Sequence, residues 1–571
     1  MRLWILRIER FRGIATLDWR PDERIQCLVG AGDMGKTTVL EAVSLLGTPR
    51  NRTFDDNDFH GADPRAGPIV IQGTFGELPA ALLADNRFGL DLVGVDGDGN
   101  LQEEPGDNDP AVTIRLDVDQ TLEPVWRVIS TRNPEGRPLT GRDRAALAIS
   151  RLGDDPDRQF SLARGTALAR TVTSSDDVAE VLAAAYRQAR EAVRGTDLSA
   201  LNGAIRSARS TATKVGAGAV ADNLEVNLET SPATASGLTL HATGIPVRSA
   251  GLGTRRLLAL GLELGSSDAG AVLCIDEIEH GLEPHRIRHL VSTLDTLVQA
   301  GGQVLFTSHS SVVLGELGSR GVSVVRSEDG VVDVRAVPAD LADIVRGAPE
   351  ALLARKVVVG EGKTEVGIVR AFGPAWTTRH EGKALAQVGV AVVEGGGHLA
   401  PRRALQLARL GYPTLLLADS DVPMDPDQAA LAAAGVTVVQ WAGSMCTEER
   451  ALTDMSWEGV TKAFEAVVEN GHDSSSMISA IVGSGPAKGA LEELGVARAE
   501  IGNTLDALLN AGVSEATVRK GFAAAAAHKE HRWFKRIDSG EALGRIAAED
   551  PDTPASPFGG SLGEVEVWCH G

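Results

Sequence analysis

The sequence predicts an α/β fold made of two successive parts, and three patterns support this. The apolar run ERIQCLV leads through a glycine-rich turn into a stretch with helical periodicity. Two further runs, AGAVLCID and GQVLFTSH, are apolar and end in polar residues, as buried parallel strands do. A new apolar strand begins at Lys356, after which strand and helix patterns alternate and then helical patterns dominate. We therefore expect one domain at 1–348 and another at 349–571.

The stretch 141–215 differs in character from the rest of the first domain. Within it, the segment 176–193 begins with acidic residues, and its apolar positions recur at helical spacing. We predict a helical insertion between two halves of the first domain. The alternative is that this stretch is a plain part of the core fold.

Composition limits the class of protein. The chain has 571 residues and a net charge of −21, and its four cysteines form no CxxC pair. A zinc site or disulfide framework is therefore not expected, and a reducing cytoplasm fits. No apolar run is long enough to predict a membrane span. Taken alone, the negative charge argues against nucleic-acid binding, but metal-binding carboxylates also add negative charge, and a local basic groove can lie on an acidic protein.

A phosphate-binding motif follows the first of these strands. The octet GAGDMGKT, residues 30–37, fits G-x-x-x-x-G-K-[ST] between an apolar strand and a helix, which is the context this motif requires. Glycines let backbone N–H groups curl around phosphate oxygens, and the helix N-terminus adds positive potential. Lys36 would reach the β- and γ-phosphates of ATP, and Thr37 would bind Mg²⁺. The candidate ATP-binding residues here are Gly30, Gly32, Gly35, Lys36, Thr37 and Thr38.

Two polar strand ends further along suit an ATPase. The run AVLCI ends in Asp276 and Glu277. Asp276 would hold the Mg²⁺ ion of the nucleotide, and Glu277 would polarise the attacking water. His309 follows the next apolar strand, after one intervening helix. Taken alone, the acidic pair could be a solvated turn, and His309 could be a structural histidine. The order of these residues after a complete P-loop favours the ATPase interpretation.

Acidic residues also end two apolar strands of the second domain. Glu361 follows VVVG, Glu365 falls in the first turn of the next helix, and Asp419 and Asp421 form a D-x-D after TLLLA. The carboxyl ends of parallel strands meet at one edge of a sheet. Mg²⁺ and Mn²⁺ prefer carboxylate oxygens. We therefore predict a site for one or two such ions, which could activate a water molecule for attack on a phosphodiester. Each acidic residue alone could instead be a solvated turn residue.

Basic and aromatic residues are interleaved late in the chain. The stretch HKEHRWFKR, at 528–536, carries lysine, arginine and histidine beside tryptophan and phenylalanine. Such a pattern suits contact with a nucleic-acid backbone and stacking on its bases. The alternative is a solvated basic helix face.

Taken together, these motifs resemble a known family. The order of P-loop, signature segment, acidic pair and histidine is similar to ABC/SMC-like ATPases, and IDEIEHGLEPHR and LRIERFRGI resemble the overcoming-lysogenisation-defect (OLD) nucleases. A glutamate and a D-x-D on successive strands resemble the Toprim domain, and the chain is similar to Gabija-type defence nucleases. The resemblance implies an α/β protein: an ABC-type P-loop ATPase with a helical insertion, followed by a Toprim domain with a helical C-terminal part.

The resemblance assigns roles within the ATPase. Gly251 and Gly253 lie in the signature segment and would contact ATP, although Leu252 stands between them where the family usually has serine. His309 would sense the γ-phosphate. ABC sites form between two heads, so a homodimer or higher homo-oligomer is implied, with the helical insertion as a dimerisation element.

The resemblance also extends the predicted metal site. Glu448 or Glu449, in CTEERAL, resembles the downstream acidic motif of the family and would complete a second metal site. Lys535, in WFKR, resembles its late catalytic lysine, and Lys529 is the runner-up.

The function that we predict is an ATP-hydrolysing, metal-dependent DNA endonuclease in anti-phage defence or DNA processing. DNA and a helicase-like protein would be its partners, with no membrane attachment. The main alternative is an SMC-like repair or recombination ATPase whose Toprim domain binds DNA without cutting. An RNA-directed Toprim nuclease and a structural or toxin-sensing ATPase that depends on a partner are further alternatives.

Overall fold

A computed structural model describes most of the chain. The described residues are 1–49, 52–84, 87–97, 99–153, 155–161, 166–168, 188, 191, 240–242, 244–265, 271–299, 301–483, 486–528 and 530–571. They divide into two compact units. The first unit contains 1–8 and 39–306, and the second contains 9–38 and 307–571.

Strands and helices occur in both units. The strands are β1 (Arg2–Phe11), β2 (Ile14–Trp19), β3 (Ile25–Val29), β4 (Ile69–Gly76), β5 (Val93–Val95), β6 (Leu101–Gln102), β7 (Asp109–Val118), β8 (Pro124–Ile129), β9 (Arg137–Pro138), β10 (Ile149–Leu152), β11 (His241–Ala242), β12 (Ile245–Pro246), β13 (Val272–Ile275), β14 (Gln303–Thr307), β15 (Val322–Glu328), β16 (Val331–Ala336), β17 (Lys356–Gly360), β18 (Val390–Glu394), β19 (Thr414–Ala418) and β20 (Val436–Gln440). The α-helices are α1 (Lys36–Gly47), α2 (Ala80–Leu83), α3 (Gly141–Ala146), α4 (Leu252–Gly265), α5 (Pro284–Gln299), α6 (Ser311–Leu317), α7 (Ala342–Gly347), α8 (Glu350–Leu353), α9 (Lys363–Arg379), α10 (Ala400–Arg409), α11 (Gln428–Ala433), α12 (Thr447–Asp454), α13 (Trp457–Glu469), α14 (Ser474–Gly483), α15 (Pro486–Leu494), α16 (Leu505–Asn510), α17 (Glu515–Ala527), α18 (Ile537–Glu549) and α19 (Pro557–His570).

In the first unit, three parallel strands carry the acidic turn of the ATPase motifs. β13 lies between β10 and β14, with Val272 opposite both Ile149 and Gln303. Every residue of β13 and β14 is buried, as expected for parallel strands whose two faces are both covered. β7 pairs antiparallel with β4, β5 and β8 elsewhere in this unit.

The second unit contains the strand that enters the P-loop and a separate parallel sheet. β3 pairs in parallel with β15, and β15 forms an antiparallel hairpin with β16. The separate sheet has the order β18–β17–β19–β20, and its pairings are parallel. β17 and β19 are neighbours, with Gly360 opposite Leu417. Glu361 and Asp419 therefore follow adjacent strand ends, as the sequence predicts.

Glycines bring the late helix α18 against α9. A Cβ atom on Gly367 would lie 2.5 Å from the Ile537 carbonyl oxygen, and one on Gly540 would lie 2.8 Å from the Thr364 carbonyl oxygen. Such separations are too short for a larger residue. The close crossing carries Lys535, just before α18, to the start of α9, where Glu365 lies.

Two sequence predictions about the first domain remain open. At the start of 141–215 the structure has α3 and β10, and β10 is a strand of the sheet that contains β13. Most of the remaining stretch, including nearly all of 176–193, lies outside the described residues. The helical insertion and the boundary after residue 348 therefore stay predictions. Among the described residues, no helix is both long and apolar enough to cross a membrane.

Candidate functional site

The P-loop is a tightly curled backbone with a buried lysine. The Lys36 ammonium donates to the carbonyl oxygens of Gly30 and Ala31, at 3.0 and 2.7 Å. Gly30 has φ +136°, and a Cβ there would lie 2.6 Å from the Val325 carbonyl oxygen. Gly35 has φ +88°. Both conformations favour glycine, so the motif residues are the ones that this loop geometry requires.

The remaining P-loop residues lie where the loop passes into α1. Because α1 begins at Lys36, Thr37 and Thr38 occupy its first turn. Thr37 and Gly32 are exposed, and Thr38 is half-buried. Unpaired N–H groups at a helix start favour anions. The loop and the helix start can therefore hold phosphate groups.

His309 follows the end of β14 and is exposed. The backbone N–H of the preceding residue, Ser308, donates to the Leu28 carbonyl oxygen at 3.4 Å. Leu28 belongs to β3, which leads into the P-loop. The predicted switch histidine therefore directly follows a residue that is hydrogen-bonded to β3.

In the first unit, two arginines hold the acidic turn after β13. The buried Asp276 accepts from Arg151 at 3.0 Å. Arg256 is buried and donates to the carbonyl oxygens of Asp276, at 2.6 Å, and Glu277, at 2.9 Å. Glu277 has φ +47°, a conformation uncommon for residues other than glycine and frequent at functional sites. Sequence reasoning assigned no role to either arginine, although Arg256 stands in the signature segment.

The signature glycines differ in their surroundings. Gly253 lies in the first turn of α4, where a Cβ would be 2.2 Å from the Gly281 carbonyl oxygen. Gly251 precedes the helix and has open space around its Cα. Gly253 is therefore needed for α4 to pack against the turn that follows the acidic pair.

Side chains from four segments of the second unit meet beyond the carboxyl ends of β17 and β19. Glu361 Oε2 accepts the backbone N–H of Asp419 at 2.9 Å. Asp419 Oδ1 accepts the N–H of Thr447 at 2.9 Å and lies 2.8 Å from the hydroxyl oxygen of the same residue. Glu365 Oε2 accepts the Gly362 N–H at 2.5 Å, and its Oε1 lies 2.5 Å from the Thr447 hydroxyl. These contacts join Glu361, Glu365 and Asp419 into one cluster.

The hydroxyl of Thr447 lies between two carboxylates of this cluster. Its oxygen lies 2.6 Å from the indole nitrogen of Trp441, which can only donate. One hydroxyl proton can go to either Glu365 or Asp419, both of which contact this oxygen. The proton can be donated to only one of the two carboxylates at a time, so the hydroxyl bridges Glu365 and Asp419.

Glu448 and Lys535 complete the cluster. The Lys535 ammonium lies 2.8 Å from Glu448 Oε1, and Glu448 is fully buried. The Thr364 hydroxyl contacts the same carboxylate oxygen at 3.2 Å and the Phe534 carbonyl oxygen at 2.8 Å. Glu448 Oε2 is buried and has no hydrogen-bond partner within the described part of the chain. Of the two glutamates in CTEERAL, Glu448 therefore contacts the cluster.

Two predicted ligands lie at its edge. Asp421 is exposed, and its charge is near enough to raise the pKa of Glu361. Glu449 is half-buried, and its charge acts on Cys446. The structure therefore brings the charge of Asp421 close to Glu361.

Burial and neighbouring negative charges shift the pKa values of the groups in this cluster. Burial, together with the neighbouring carboxylates, raises the pKa of Glu361 and of Glu365, and raises that of Asp419 to about 7. Burial acts to lower the pKa of Lys535, but Glu448, Glu365 and Asp419 outweigh it and raise that pKa. Lys535 is therefore charged at neutral pH, and the carboxylates still favour a further positive charge.

The donor chemistry of this cluster fits a hard divalent cation. Mg²⁺ and Mn²⁺ prefer carboxylate oxygens, and Glu448 Oε2 is buried without a partner. In the described structure, Glu361 Oε1 and Asp419 Oδ2 are also left unused by the hydrogen bonds of those residues. Both oxygens of Glu365 already contact hydrogen-bond donors, Oε2 the Gly362 N–H and Oε1 the Thr447 hydroxyl. Within the described ranges, however, no three acidic, histidine or cysteine side chains surround a common ion position.

The late basic stretch divides into a buried and an exposed part. Trp533 and Phe534 are 4% and 1% exposed and pack against Phe522. The expectation that these aromatics stack on bases is therefore wrong, because their faces belong to the core. His528 and Lys535 are exposed, as are Arg532 and Arg536, whereas Lys529 lies outside the described residues.

Comparison with known proteins identifies two family models along the chain. The model described as "AAA domain, putative AbiEii toxin, Type IV TA system" matches residues 25–315, just over half of the chain. The model described as "Overcoming lysogenization defect protein-like, TOPRIM domain" matches residues 352–421. None of the curated proteins compared with the chain matches it.

Solved structures with partial similarity include SMC heads and a RecF protein. The SMC head domain from Thermotoga maritima is 14% identical, with 59% of this chain and 100% of that chain covered and a TM-score of 0.28. An SMC head derived from Pyrococcus furiosus, bound to the C-terminal domain of ScpA, is 12% identical over 60% of this chain and 97% of that chain, with a TM-score of 0.35. The recombination mediator protein RecF is 12% identical over 58% and 98%, with a TM-score of 0.32.

The two family models rest on the motifs described above. The first spans the P-loop, the acidic pair and His309, and the second spans Glu361, Asp419 and Asp421. The chain therefore belongs to this AAA-domain ATPase family and is an OLD-family fusion of an ATPase domain with a Toprim domain.

Proposed function

We propose that the chain is a metal-dependent DNA endonuclease whose Toprim carboxylates bind Mg²⁺ or Mn²⁺ and whose activity is regulated by its ATPase. The observation that carries the proposal is the cluster of the half-buried Glu361 and Asp419 and the buried Glu448 beside Lys535. Each of these three carboxylates has an oxygen that its described hydrogen bonds leave unused, and their combined charge favours a cation. Lys535 contacts Glu448 Oε1, whereas the buried Oε2 has no hydrogen-bond partner among the described residues and could bind a cation.

The residues of the site would act in distinct ways. Glu361, Asp419 and Glu448 would hold metal, with Asp421 at the open edge and Glu365 as a weaker candidate because its oxygens are occupied. Bound divalent ions would supply an activated water and stabilise charge on the phosphate. Lys535 would place an ammonium group near the oxygens that gain negative charge. Its side chain is 39% exposed, so it can reach a substrate while it contacts Glu448.

Basic residues near this site support DNA as the substrate. Arg532, Lys535 and Arg536 are exposed in a chain whose net charge is −21. Such a local patch suits contact with phosphates. We infer a role in anti-phage defence or DNA processing from the OLD-like family model. A helicase-like partner is proposed on family resemblance alone.

The ATPase motifs support nucleotide binding and hydrolysis at paired heads. Lys36 and Thr37 would bind the phosphates and Mg²⁺, and Asp276 would complete the magnesium site. Glu277 would polarise water, and His309 would sense the γ-phosphate. The glycines of the signature segment would contact ATP bound to a second copy, so a homodimer or larger homo-oligomer is expected.

The direct test is cleavage of supercoiled plasmid by the purified chain, with Mg²⁺ or Mn²⁺ and with or without ATP. We expect nicked or linear product only when a divalent ion is present. ATP hydrolysis that is stimulated by DNA, without any cutting under these conditions, would favour the SMC-like repair ATPase instead. Cleavage of RNA but not DNA would support the RNA-directed alternative.

A further inference from the structure

Thr447 is the residue through which the cluster carboxylates are joined. It is the first residue of α12 and is fully buried. Its N–H and its hydroxyl both contact Asp419 Oδ1, and the same hydroxyl contacts Glu365 Oε1. The Trp441 indole N–H, at 2.6 Å, fixes the orientation of the hydroxyl from the other side.

The segment before Thr447 is itself tied to the D-x-D turn. The Ser420 N–H donates to the Met445 carbonyl oxygen at 3.1 Å, and the Met445 N–H donates to the Ser420 hydroxyl at 3.0 Å. This pairing holds the start of α12 against Asp419. Thr447 therefore cannot move away from the carboxylate without breaking several hydrogen bonds at once.

We propose that Thr447 is a positioning residue of the Toprim site, which fixes Asp419 so that Oδ2 is the oxygen directed to a metal ion. The N–H and the hydroxyl of Thr447 both contact Oδ1, whereas the described hydrogen bonds leave Oδ2 for a ligand. The contact with Glu365 makes that residue a support for the site. Groups that orient metal ligands in this way strongly affect metal affinity. This inference rests on the metal-dependent function proposed above.

The test compares Thr447→Val with Thr447→Ser. Valine keeps the shape but removes the hydroxyl, whereas serine keeps the hydroxyl. We expect Thr447→Val to weaken Mn²⁺ binding by about ten- to a hundredfold, as measured by calorimetry without DNA or nucleotide. Its cleavage kcat should fall while KM for DNA stays unchanged, because Thr447 does not reach the substrate. Thr447→Ser should retain both properties.

Two further variants separate positioning from folding. Trp441→Phe removes the indole donor without touching a carboxylate, and should shift Mn²⁺ affinity in the same direction but less. Thr377→Val is the matched control, because the Thr377 hydroxyl contacts only the Gly373 carbonyl oxygen of its own helix, at 2.8 Å. This substitution should change neither Mn²⁺ affinity nor cleavage. The circular dichroism spectrum and the urea unfolding midpoint of each variant measure whether its fold is intact.

The outcomes are distinguishable. If Thr447→Val binds Mn²⁺ and cuts as the wild type does, Thr447 has no positioning role, although the proposed function stands. If Thr447→Ser fails as badly as a folded Thr447→Val, the hydroxyl is not the determining group and the inference is wrong. A wild-type protein that neither binds Mn²⁺ nor cuts overturns the proposed function and this inference together.

Discussion

The P-loop binds charge through its backbone, whereas the Toprim site is built from side chains. In the P-loop, glycines with positive φ expose N–H groups, and Lys36 is held by two carbonyl oxygens of the loop. In the Toprim cluster, burial and the neighbouring carboxylates raise the pKa of Asp419 to about 7. The first site suits an anion, and the second favours a cation.

This contrast indicates how each site would respond to mutation. A site built from backbone groups keeps its shape when a neighbouring side chain changes. Substitution of a single lysine or glutamate should therefore alter the chemistry of the ATPase without altering the loop. A cluster of buried charges depends on every member and on the groups that orient it. Changes in the two regions should therefore give separable defects.

The largest effect is expected in the ATPase. Glu277→Gln should slow ATP hydrolysis at least about a hundredfold, because the carboxylate that orients water is lost. Nucleotide binding should persist, whereas Lys36→Ala should weaken binding itself. Steady-state hydrolysis together with nucleotide-binding fluorescence measures both. Wild-type hydrolysis by Glu277→Gln would contradict the assignment of this residue.

Lys535→Ala should have the next largest effect. Loss of the ammonium should lower the single-turnover cleavage rate at saturating DNA by about ten- to a hundredfold, or roughly 1.4–2.7 kcal/mol of barrier. ATP hydrolysis should be nearly unchanged. Arg536→Ala is the matched control, since Arg536 pairs with Asp538 on the surface. An unchanged rate for Lys535→Ala at saturating DNA would make Lys535 a binding residue only.

A stability effect is expected at Asp550, which lies outside both sites. Burial acts to raise its pKa, but hydrogen bonds from Ser456, Asp552 and Thr553 outweigh this and hold it below its usual value. Asp550→Asn should lower the free energy of unfolding by about 1–3 kcal/mol at pH 7. Because the folded-state pKa is lowered, the contribution is present above the unfolded pKa of about 4 and is lost as pH falls through the folded value.

Urea unfolding at pH 7 and at progressively lower pH measures this difference. The gap between wild type and Asp550→Asn should narrow as the pH falls below about 4. A gap that stays constant with pH would show that the charge on Asp550 is not what stabilises this contact.

The smallest effect concerns communication between the two regions. β15 pairs with β3, which enters the P-loop, and Arg326 of β15 lies over the Tyr412 ring at 4.8 Å. Tyr412 shortly precedes β19, which ends at Asp419. Arg326→Ala should therefore reduce the effect of nucleotide on cleavage by about 0.5–2 kcal/mol, with cleavage in the absence of nucleotide unchanged. Rates measured with no nucleotide, ADP and a slowly hydrolysed ATP analogue test this, and an undiminished nucleotide effect would exclude it.

The two regions also differ in what sequence alone could predict. The P-loop is contiguous, and each glycine has a local reason, so the motif predicted the loop. The Toprim cluster joins Glu361, Asp419, Thr447 and Lys535 from distant segments. The carboxylates at its strand ends were predictable from the apolar runs that precede them, because the carboxyl ends of parallel strands lie at one edge of a sheet.

Other features depend on tertiary contacts and carry no local sequence signal. Thr447 lies in CTEERAL, where only the glutamates suggested a role, and Trp441 lies in no motif; the importance of both follows from their shared hydrogen bond. The close approach of Gly367 to α18 is likewise visible only in the packed helices. The aromatic residues of WFKR suited base stacking in the sequence, but core packing against Phe522 determines their position.

The central claim is that metal-dependent cutting belongs to the Toprim cluster and ATP hydrolysis to the P-loop domain. The most direct measurement is plasmid cleavage by Asp419→Ala with Mn²⁺ and without nucleotide, with ATP hydrolysis measured on the same preparation. Loss of a ligand from a site that contributes several kcal/mol should reduce cleavage at least about a hundredfold, while ATP hydrolysis continues at the wild-type rate. Full plasmid cleavage by Asp419→Ala would contradict the claim.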